Sequence, residues 1–300
     1  MIHLPSMRQL RYLDALDRER HFGRAAERCF VSQSTLSAGI KELEQNLGVV
    51  LVDRSGRNVL FTNAGEQVLA RARRVLREAE ELVEAARVAS EPLSGAVRMG
   101  VIPTIAPFFL PRILPLVRKK WPRLQLYLSE DQTARLVSEL HDGQLDLLLL
   151  ALPCDYGPAV AEPLFDDTFR LACPPDHPLA AVDRVDARNI DPDGLLLLAD
   201  GHCLREHALD ACRLFSGGRP RAFAATSLHT LVQMVENGLG VTLLPEVALA
   251  SGILEGTSLV TRPLLGERTS REIGLVWRRE SPREPEFRLL AEFLREVSAV

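Results

Sequence analysis

From Ala96 onward, short aliphatic runs alternate with helical stretches, and that alternation restricts the fold more than any other feature of the chain. AVRMGVI, LQLYL, LDLLLLAL, FRLAC and GLLLLA have strand length, while segments between them, such as Phe109–Lys120 and Thr133–His141, carry helical spacing. Alternation of this kind is the pattern of an α/β architecture with a mainly parallel sheet. The longest runs, 145–152 and 195–199, fall far short of the roughly 20 residues that a membrane span needs, so they are expected as buried strands.

The front of the chain follows another rule. Leu10, Leu13, Ala15 and Leu16 give residues 7–20 a helical apolar face. Phe22–Cys29 reads as a short helix whose Ala25 and Ala26 permit close packing. Ser32 reads as the N-cap of a second helix, Gln33–Leu47, with Leu36, Ile40 and Leu43 turned inward. Its outward face carries Gln33, Ser34, Ser37 and Lys41, with Thr35 near the start. A short helix, a tight turn and a helix with a polar front form a helix-turn-helix, whose second helix enters the major groove. Gln, Ser and Thr can bond base edges, and Lys and Arg neutralise phosphates. LVDRSGRNVLFTNAGE then predicts a hairpin wing turning at Ser55–Gly56, with Arg54 and Arg57 toward the DNA backbone. Glu66–Ser90 reads as one long helix with an apolar stripe from Val68 to Ala86, which calls for a covering partner such as a second copy. SEPLSG at 90–95 ends it as a hinge.

The stretch ADGHCLREHALDAC, Ala199–Cys212, carries the chemistry. Asp200 and Gly201 resemble a helix start, which places Cys203 in the first turn, where the dipole favours a negative charge. His202 and Arg205 are neighbours able to stabilise a thiolate, and such surroundings lower a thiol pKa from its usual value of about 8.5. Along a continuous helix, Cys203 and Cys212 are separated by roughly 13–14 Å and lie on opposite faces. A disulfide needs Cα atoms within about 7 Å, so the bond and the helix exclude each other. Oxidation of this pair would turn a chemical event into a shape change. Two other readings stand beside this one. Buried free cysteines commonly just pack. Cys203 and His207, at i and i+4, share a face suited to a metal, yet no further His/Cys pair completes a tetrahedral set, so no metal or cofactor is expected.

The totals agree with a soluble two-part protein. The chain has 300 residues and net charge −4, but residues 1–90 hold 14 Lys/Arg against 12 Asp/Glu, so the negative charge lies in the remainder and nucleic-acid binding by the front is not excluded. Its five cysteines, at 29, 154, 173, 203 and 212, are an odd number and form no secreted framework; MIHLPSMRQLRYLDAL lacks a signal-peptide layout, and a cytoplasmic location is expected. Cys29, Cys154 and Cys173 are expected to pack.

With AAERCFVSQSTLSAGIKELEQNLGVVLVDRSGR and TNAGE in order, residues 7–65 resemble the winged helix-turn-helix of LysR-type transcriptional regulators. Ser34 stands where that family often has Pro, and Phe61 where it usually has Leu. TSLHTLVQMVENGLGVTLLP at 226–245 resembles a helix leading into a late strand of the same family, so the resemblance spans the chain. It implies a winged helix-turn-helix at 1–65, a dimerisation helix at 66–90, a hinge at 91–95 and a regulatory part at 96–300. That part would form two α/β subdomains like periplasmic binding proteins, about 96–166 with 268–300, and 167–267. The implied partners are double-stranded promoter DNA, RNA polymerase and further copies of the chain, as a dimer of dimers; no membrane is implied.

GHCLREHALDAC also resembles the sensor segment of the hydrogen-peroxide-sensing OxyR branch of that family. That resemblance makes Cys203 the peroxidatic residue and Cys212 its resolving partner in a disulfide. VIPTIAPFFLP brings in Thr104, SEDQTARL brings in Thr133 and TSREIGLVW brings in Arg271 as pocket groups beside His202 and Arg205. Threonine hydroxyls and a guanidinium are suited to a departing hydroxide. Two rivals remain. One is a regulator binding a small organic acid between the subdomains, with the cysteines incidental. The other is a thiol peroxidase, which lacks its P-x-x-x-[ST]-x-x-C pattern here and has no use for a helix-turn-helix, so an enzyme is not expected.

Overall fold

The computed structural model describes residues 4–53, 59–88, 92–212, 225–266 and 269–298. They fall into two compact units, 1–87 and 88–300.

In the first unit, α1 (Met7–Glu19) starts at Ser6, whose side chain takes the Gln9 N–H while the Gln9 side chain accepts from the Ser6 N–H. Next come α2 (Phe22–Arg28) and α3 (Gln33–Leu47). Leu13, Leu16, Ala25, Leu36, Ile40 and Leu43 make their common core. Gly39 lets α3 lie against α1, since a Cβ there would sit 2.7 Å from the Tyr12 ring. The wing base pairs β1 (Val52–Asp53) with β2 (Leu60–Phe61) antiparallel. The turn expected at 55–56 lies outside the described residues. Helix α4 (Asn63–Val88) begins before the expected Glu66, because Thr62 Oγ1 accepts the Gly65 N–H at 2.9 Å and caps the first turn. Gly65 is required there: a Cβ would come within 2.1 Å of the Leu51 carbonyl oxygen. Arg73 fastens α4 to α1 through Asp14 and Asp17, both at 2.8 Å. Leu69 and Ala72 are buried, but Val75, Leu82 and Val83 further along α4 are exposed.

The second unit opens with β3 (Gly95–Val101), α5 (Ala106–Lys120), β4 (Leu124–Glu130), α6 (Thr133–His141) and β5 (Leu147–Leu152). It continues with β6 (Ala159–Cys173), β7 (Val185–Asp186), α7 (Cys203–Ala211), α8 (Leu228–Glu236), β8 (Thr242–Pro245), α9 (Glu246–Leu249), β9 (Val260–Leu265), β10 (Ser270–Arg278) and α10 (Glu284–Ser298). The strands run β4-β3-β5-β10-β6-β9-β7, with β8 also on β6. The sheet is mixed rather than mainly parallel. β3 pairs parallel with β4 and β5, and β7 with β9, whereas β10 is antiparallel to β5 and β6, and β6 to β8 and β9. A second correction concerns GLLLLA, which forms only isolated bridges, Leu195 to Val241 and Leu198 to Ala225, instead of a strand.

Strand β6 sets the plan of this unit. Ala159–Thr168 pairs with β10, and Phe169–Cys173 pairs with β8 and β9, so one continuous strand serves two groups of elements. The C-terminal helix is tied to the start of the unit by a buried pair, Arg283 and Glu286, in which Arg283 also donates to the Ala96 carbonyl at 2.6 Å.

Candidate functional site

Two places collect the residues singled out by the sequence, one in each unit. On α3, Gln33, Ser34, Thr35 and Lys41 are exposed and Ser37 is partly so, opposite the buried Leu36, Ile40 and Leu43. Ser32 spends its oxygen locally. It accepts the Thr35 N–H at 3.2 Å and lies 2.9 and 2.8 Å from the Ser34 and Thr35 hydroxyls. The free outward donors and acceptors are therefore Gln33 and Lys41 first, with the serine and threonine hydroxyls already sharing bonds. Arg54 and Arg57 lie outside the described residues.

The second place is the start of α7. Gly201, at φ +92°, turns the chain so that Cys203 opens the helix. The N-cap is His202 and makes no side-chain cap bond, which corrects the expectation for Asp200. Asp200 instead pairs with Arg205 at 2.9 Å, and Arg205 also donates to the Leu198 carbonyl. Its guanidinium is thus engaged by Asp200 and the Leu198 carbonyl. His202 does line the pocket, but burial lowers its pKa, so at pH 7 it is neutral and brings no positive charge. The expected cationic pair beside the sulfur is therefore not His202 and Arg205.

The cation is Arg271. It is fully buried on β10, with Asp167 of β6 opposite at 2.9 Å. Its Nη1 donates to Thr104 Oγ1 at 2.8 Å and its Nη2 to the Thr104 carbonyl at 3.1 Å. Because Thr104 Oγ1 accepts from Arg271, its own proton is free to be given to a ligand oxygen. The second oxygen of Asp167 accepts the Val247 N–H at 2.9 Å, so the pair is held from three elements. A buried ion pair of this kind costs about 3–5 kcal/mol to break by removing one partner, which makes Arg271 a framework as well as a pocket residue.

Burial pushes the Cys203 thiol up. Arg271 pulls it down, as do the Thr133 hydroxyl and the backbone N–H groups of Leu204 and Cys203 at the helix start. The net direction is upward, against the expectation of a lowered pKa, because a closed pocket strips water from the thiolate. Thr133 is the telling neighbour: its buried hydroxyl meets no well-aligned hydrogen-bond partner, and the group it acts on is the Cys203 sulfur. A buried hydroxyl left unbonded costs about 1–3 kcal/mol, so it is poised for a ligand or for the charged sulfur. Ile102, Pro103, Thr104, Gln132, Thr133 and Cys203 line a narrow crevice with no room for a water-sized sphere as it stands. It gives no room to an organic metabolite, whose sites begin at roughly 300 Å³. A larger cavity of about 770 Å³ lies toward Cys154, Tyr156 and Arg271, but Asp155, Asp166 and Glu272 line it too and oppose an organic anion.

Cys212 ends α7 at the C-cap, buried, with its thiol pushed up to about 11 by burial. Both cysteines are free thiols with the helix between them intact. The structure thus brings Cys203, Thr104, Thr133, His202 and Arg271 together and holds Cys212 apart. Among the described residues no His/Cys/Asp/Glu group could hold a metal, and no helix is long and apolar enough to cross a membrane. Two residues that the sequence did not single out, Asp167 and Gln132, also take part. Asp167 anchors Arg271 from 104 positions away. Gln132 packs on Gly201 and reaches the Asp200 carbonyl. His207 bonds the Pro153 carbonyl, and Cys154 follows that proline. The i, i+4 spacing of Cys203 and His207 was the one signal available, and it points to a shared face.

Known proteins resemble this chain along its whole length. The family described as bacterial regulatory helix-turn-helix protein, lysR family, matches residues 7–66, and the LysR substrate binding domain matches residues 90–299. The HTH-type transcriptional regulator EstR of Acinetobacter baylyi is 42% identical over 299 residues, 100% of this chain and 99% of that protein. The DNA-binding transcriptional dual regulator OxyR of Escherichia coli is 42% identical over 290 residues, 97% of this chain and 95% of that protein. A solved structure of a full-length OxyR variant from Pseudomonas aeruginosa matches with a TM-score of 0.81 at 36% identity, covering 98% of this chain and 95% of that one.

Proposed function

The chain belongs to the LysR family of bacterial transcriptional regulators, and we propose that it senses hydrogen peroxide through Cys203 and relays oxidation to DNA through Cys212. One observation carries the reading: Cys203 lies in a narrow crevice with the hydroxyls of Thr133 and Thr104, and buried Arg271 bonds Thr104 and acts on the same sulfur. EstR is as similar as the peroxide regulators, but the small size of this space favours peroxide over an organic effector.

In the mechanism, Cys203 loses its proton and its sulfur attacks one peroxide oxygen. The O–O bond breaks, Cys203 becomes a sulfenic acid, and hydroxide departs. Thr133 and Thr104 donate hydrogen bonds to the oxygens, and Arg271 balances the developing charge. The Cys212 thiol then displaces the sulfenic hydroxyl as water, forming the Cys203–Cys212 disulfide. With α7 wound, that bond is out of reach, so the segment must unwind and repack.

DNA contact falls to Gln33, Ser34, Thr35, Ser37 and Lys41, with Arg54 and Arg57 on the wing, and Ser32 holding the helix start. We divide the chain into a DNA-reading part at 1–65, a self-association helix at 66–90, a hinge at 91–95 and a regulatory part at 96–300. The exposed Val75, Leu82 and Val83 of α4 support association of copies, as a dimer of dimers on promoter DNA in contact with RNA polymerase. The setting is the cytoplasm, and the role is regulatory, with one oxidation per signal and no turnover.

The deciding experiment replaces Cys203 by serine. Expected is a protein that still binds its promoter but gives no peroxide-dependent change in footprint or transcription. A normal peroxide response from Cys203→Ser removes Cys203 from the role.

A further inference from the structure

Cys154 stands just beyond β5, in the loop that leads to β6. One hydrogen bond and two shared surroundings bring that loop toward the sensing thiol. His207 Nε2 lies 3.3 Å from the Pro153 carbonyl, next to Cys154, and His207 is one turn along α7 from Cys203, on the same face. Arg271 lines the larger cavity together with Cys154 and also exerts its charge on the Cys203 sulfur. Both cysteines pack against one hydrophobic core. Burial pushes the Cys154 thiol up, and a charge on Cys203 adds to the rise. Cys212, by contrast, is a full helix away, roughly 13–14 Å along the axis.

We propose that Cys154 is a second, local resolving cysteine, which condenses with oxidised Cys203 while α7 is still wound. The inference rests on the peroxide reading above. In the step, the S–O bond of the Cys203 sulfenic acid breaks, a Cys154–Cys203 S–S bond forms, and the hydroxyl leaves with the Cys154 proton as water. Peroxide is the only oxidant, already spent in making the sulfenic acid. The product is an oxidised protein in the helical shape of the reduced one. It shields Cys203 from further oxidation to the sulfinic acid without issuing the structural signal. Acidity does not choose between the two resolving thiols: burial pushes Cys154 up to about 12 and Cys212 up to about 11. Placement does, since His207 holds the Cys154 loop against wound α7, whereas Cys212 requires the loss of that helix.

The test uses the full chain with Cys212→Ala, exposed to equimolar peroxide and analysed by intact mass and non-reducing peptide mapping. Expected is loss of two hydrogens, a Cys154–Cys203 linked peptide, little dimedone adduct on Cys203 and an unchanged circular dichroism spectrum. The double variant Cys154→Ala/Cys212→Ala should instead give at least fivefold more dimedone adduct and pass to sulfinic acid in excess peroxide. If Cys212→Ala carries as much dimedone-reactive Cys203 as the double variant, or links Cys203 to Cys29 or Cys173, the inference is overturned and the peroxide reading stands. If Cys203 of the unaltered chain does not react at all, both fall.

Discussion

At the scale of single residues, the sensing thiol is a compromise between burial and charge. Its raised pKa leaves it mostly protonated at pH 7, so the thiolate fraction, and with it the oxidation rate, should climb about tenfold per pH unit below that pKa. Stopped-flow oxidation of Cys203 from pH 6 to 8.5 should therefore rise without a plateau; a plateau near pH 6 would mean a thiolate already formed. Thr133 offers a sharper probe. Thr133→Val removes a buried hydroxyl whose one interaction, with the Cys203 thiol, is poorly aligned, so folding stability should stay within about 1 kcal/mol of the native value. Oxidation of Cys203 should nonetheless slow at least tenfold, and an unchanged rate would show that this hydroxyl does not serve the reaction. Cys203 at a helix start was legible from the chain, since glycine and a following apolar pattern mark such a start. Of the groups that set its acidity, Arg271 and Thr133 were reached only through the family resemblance, not through local pattern. His202 and Arg205 are neighbours in sequence, yet one is neutral and the other paired with Asp200, while Arg271 arrives from a strand 68 positions away.

At the scale of elements, periodicity did what short-range physics allows. Thr133–His141 is a helix with the bounds its spacing predicts, and α3 buries Leu36, Ile40 and Leu43 as its stripe requires. The failures are places where long-range pairing decides. GLLLLA has the composition of a strand but meets partners at only two bridges, and the antiparallel settings of β6 and β10 depend on a chain return that no local pattern records. Helix α4 shows a different limit, because its first turn is fixed by contact with Leu51. Gly65→Ala forces a Cβ into that carbonyl and should cost about 3 kcal/mol in the DNA-binding unit. The expected readout is a lowered Tm and lost promoter binding with unaltered Cys203 oxidation. Retained promoter binding at the native Tm would show that the close approach relaxes freely.

At the scale of the whole molecule, acid and self-association are the levers. Burial lowers the pKa of both His202 and His207, so the unfolded chain binds more protons than the folded one as pH falls through about 6.5. The linked stability is fully present above that value and is lost below it; urea midpoints should drop between pH 7.5 and 5.5, and His207→Gln should flatten the decline. Leu82→Glu on exposed α4 should shift sedimentation toward monomer and weaken promoter affinity at least tenfold, while leaving peroxide chemistry intact. The wound helix between Cys203 and Cys212 also has a temporal meaning. On the proposed mechanism unwinding it takes time, and during that delay Cys203 stays oxidised, as sulfenic acid or joined to Cys154, in forms that other thiols reduce. A brief exposure would then be forgotten and a sustained one recorded, which makes α7 a dwell-time filter whose threshold is set by its own melting rate.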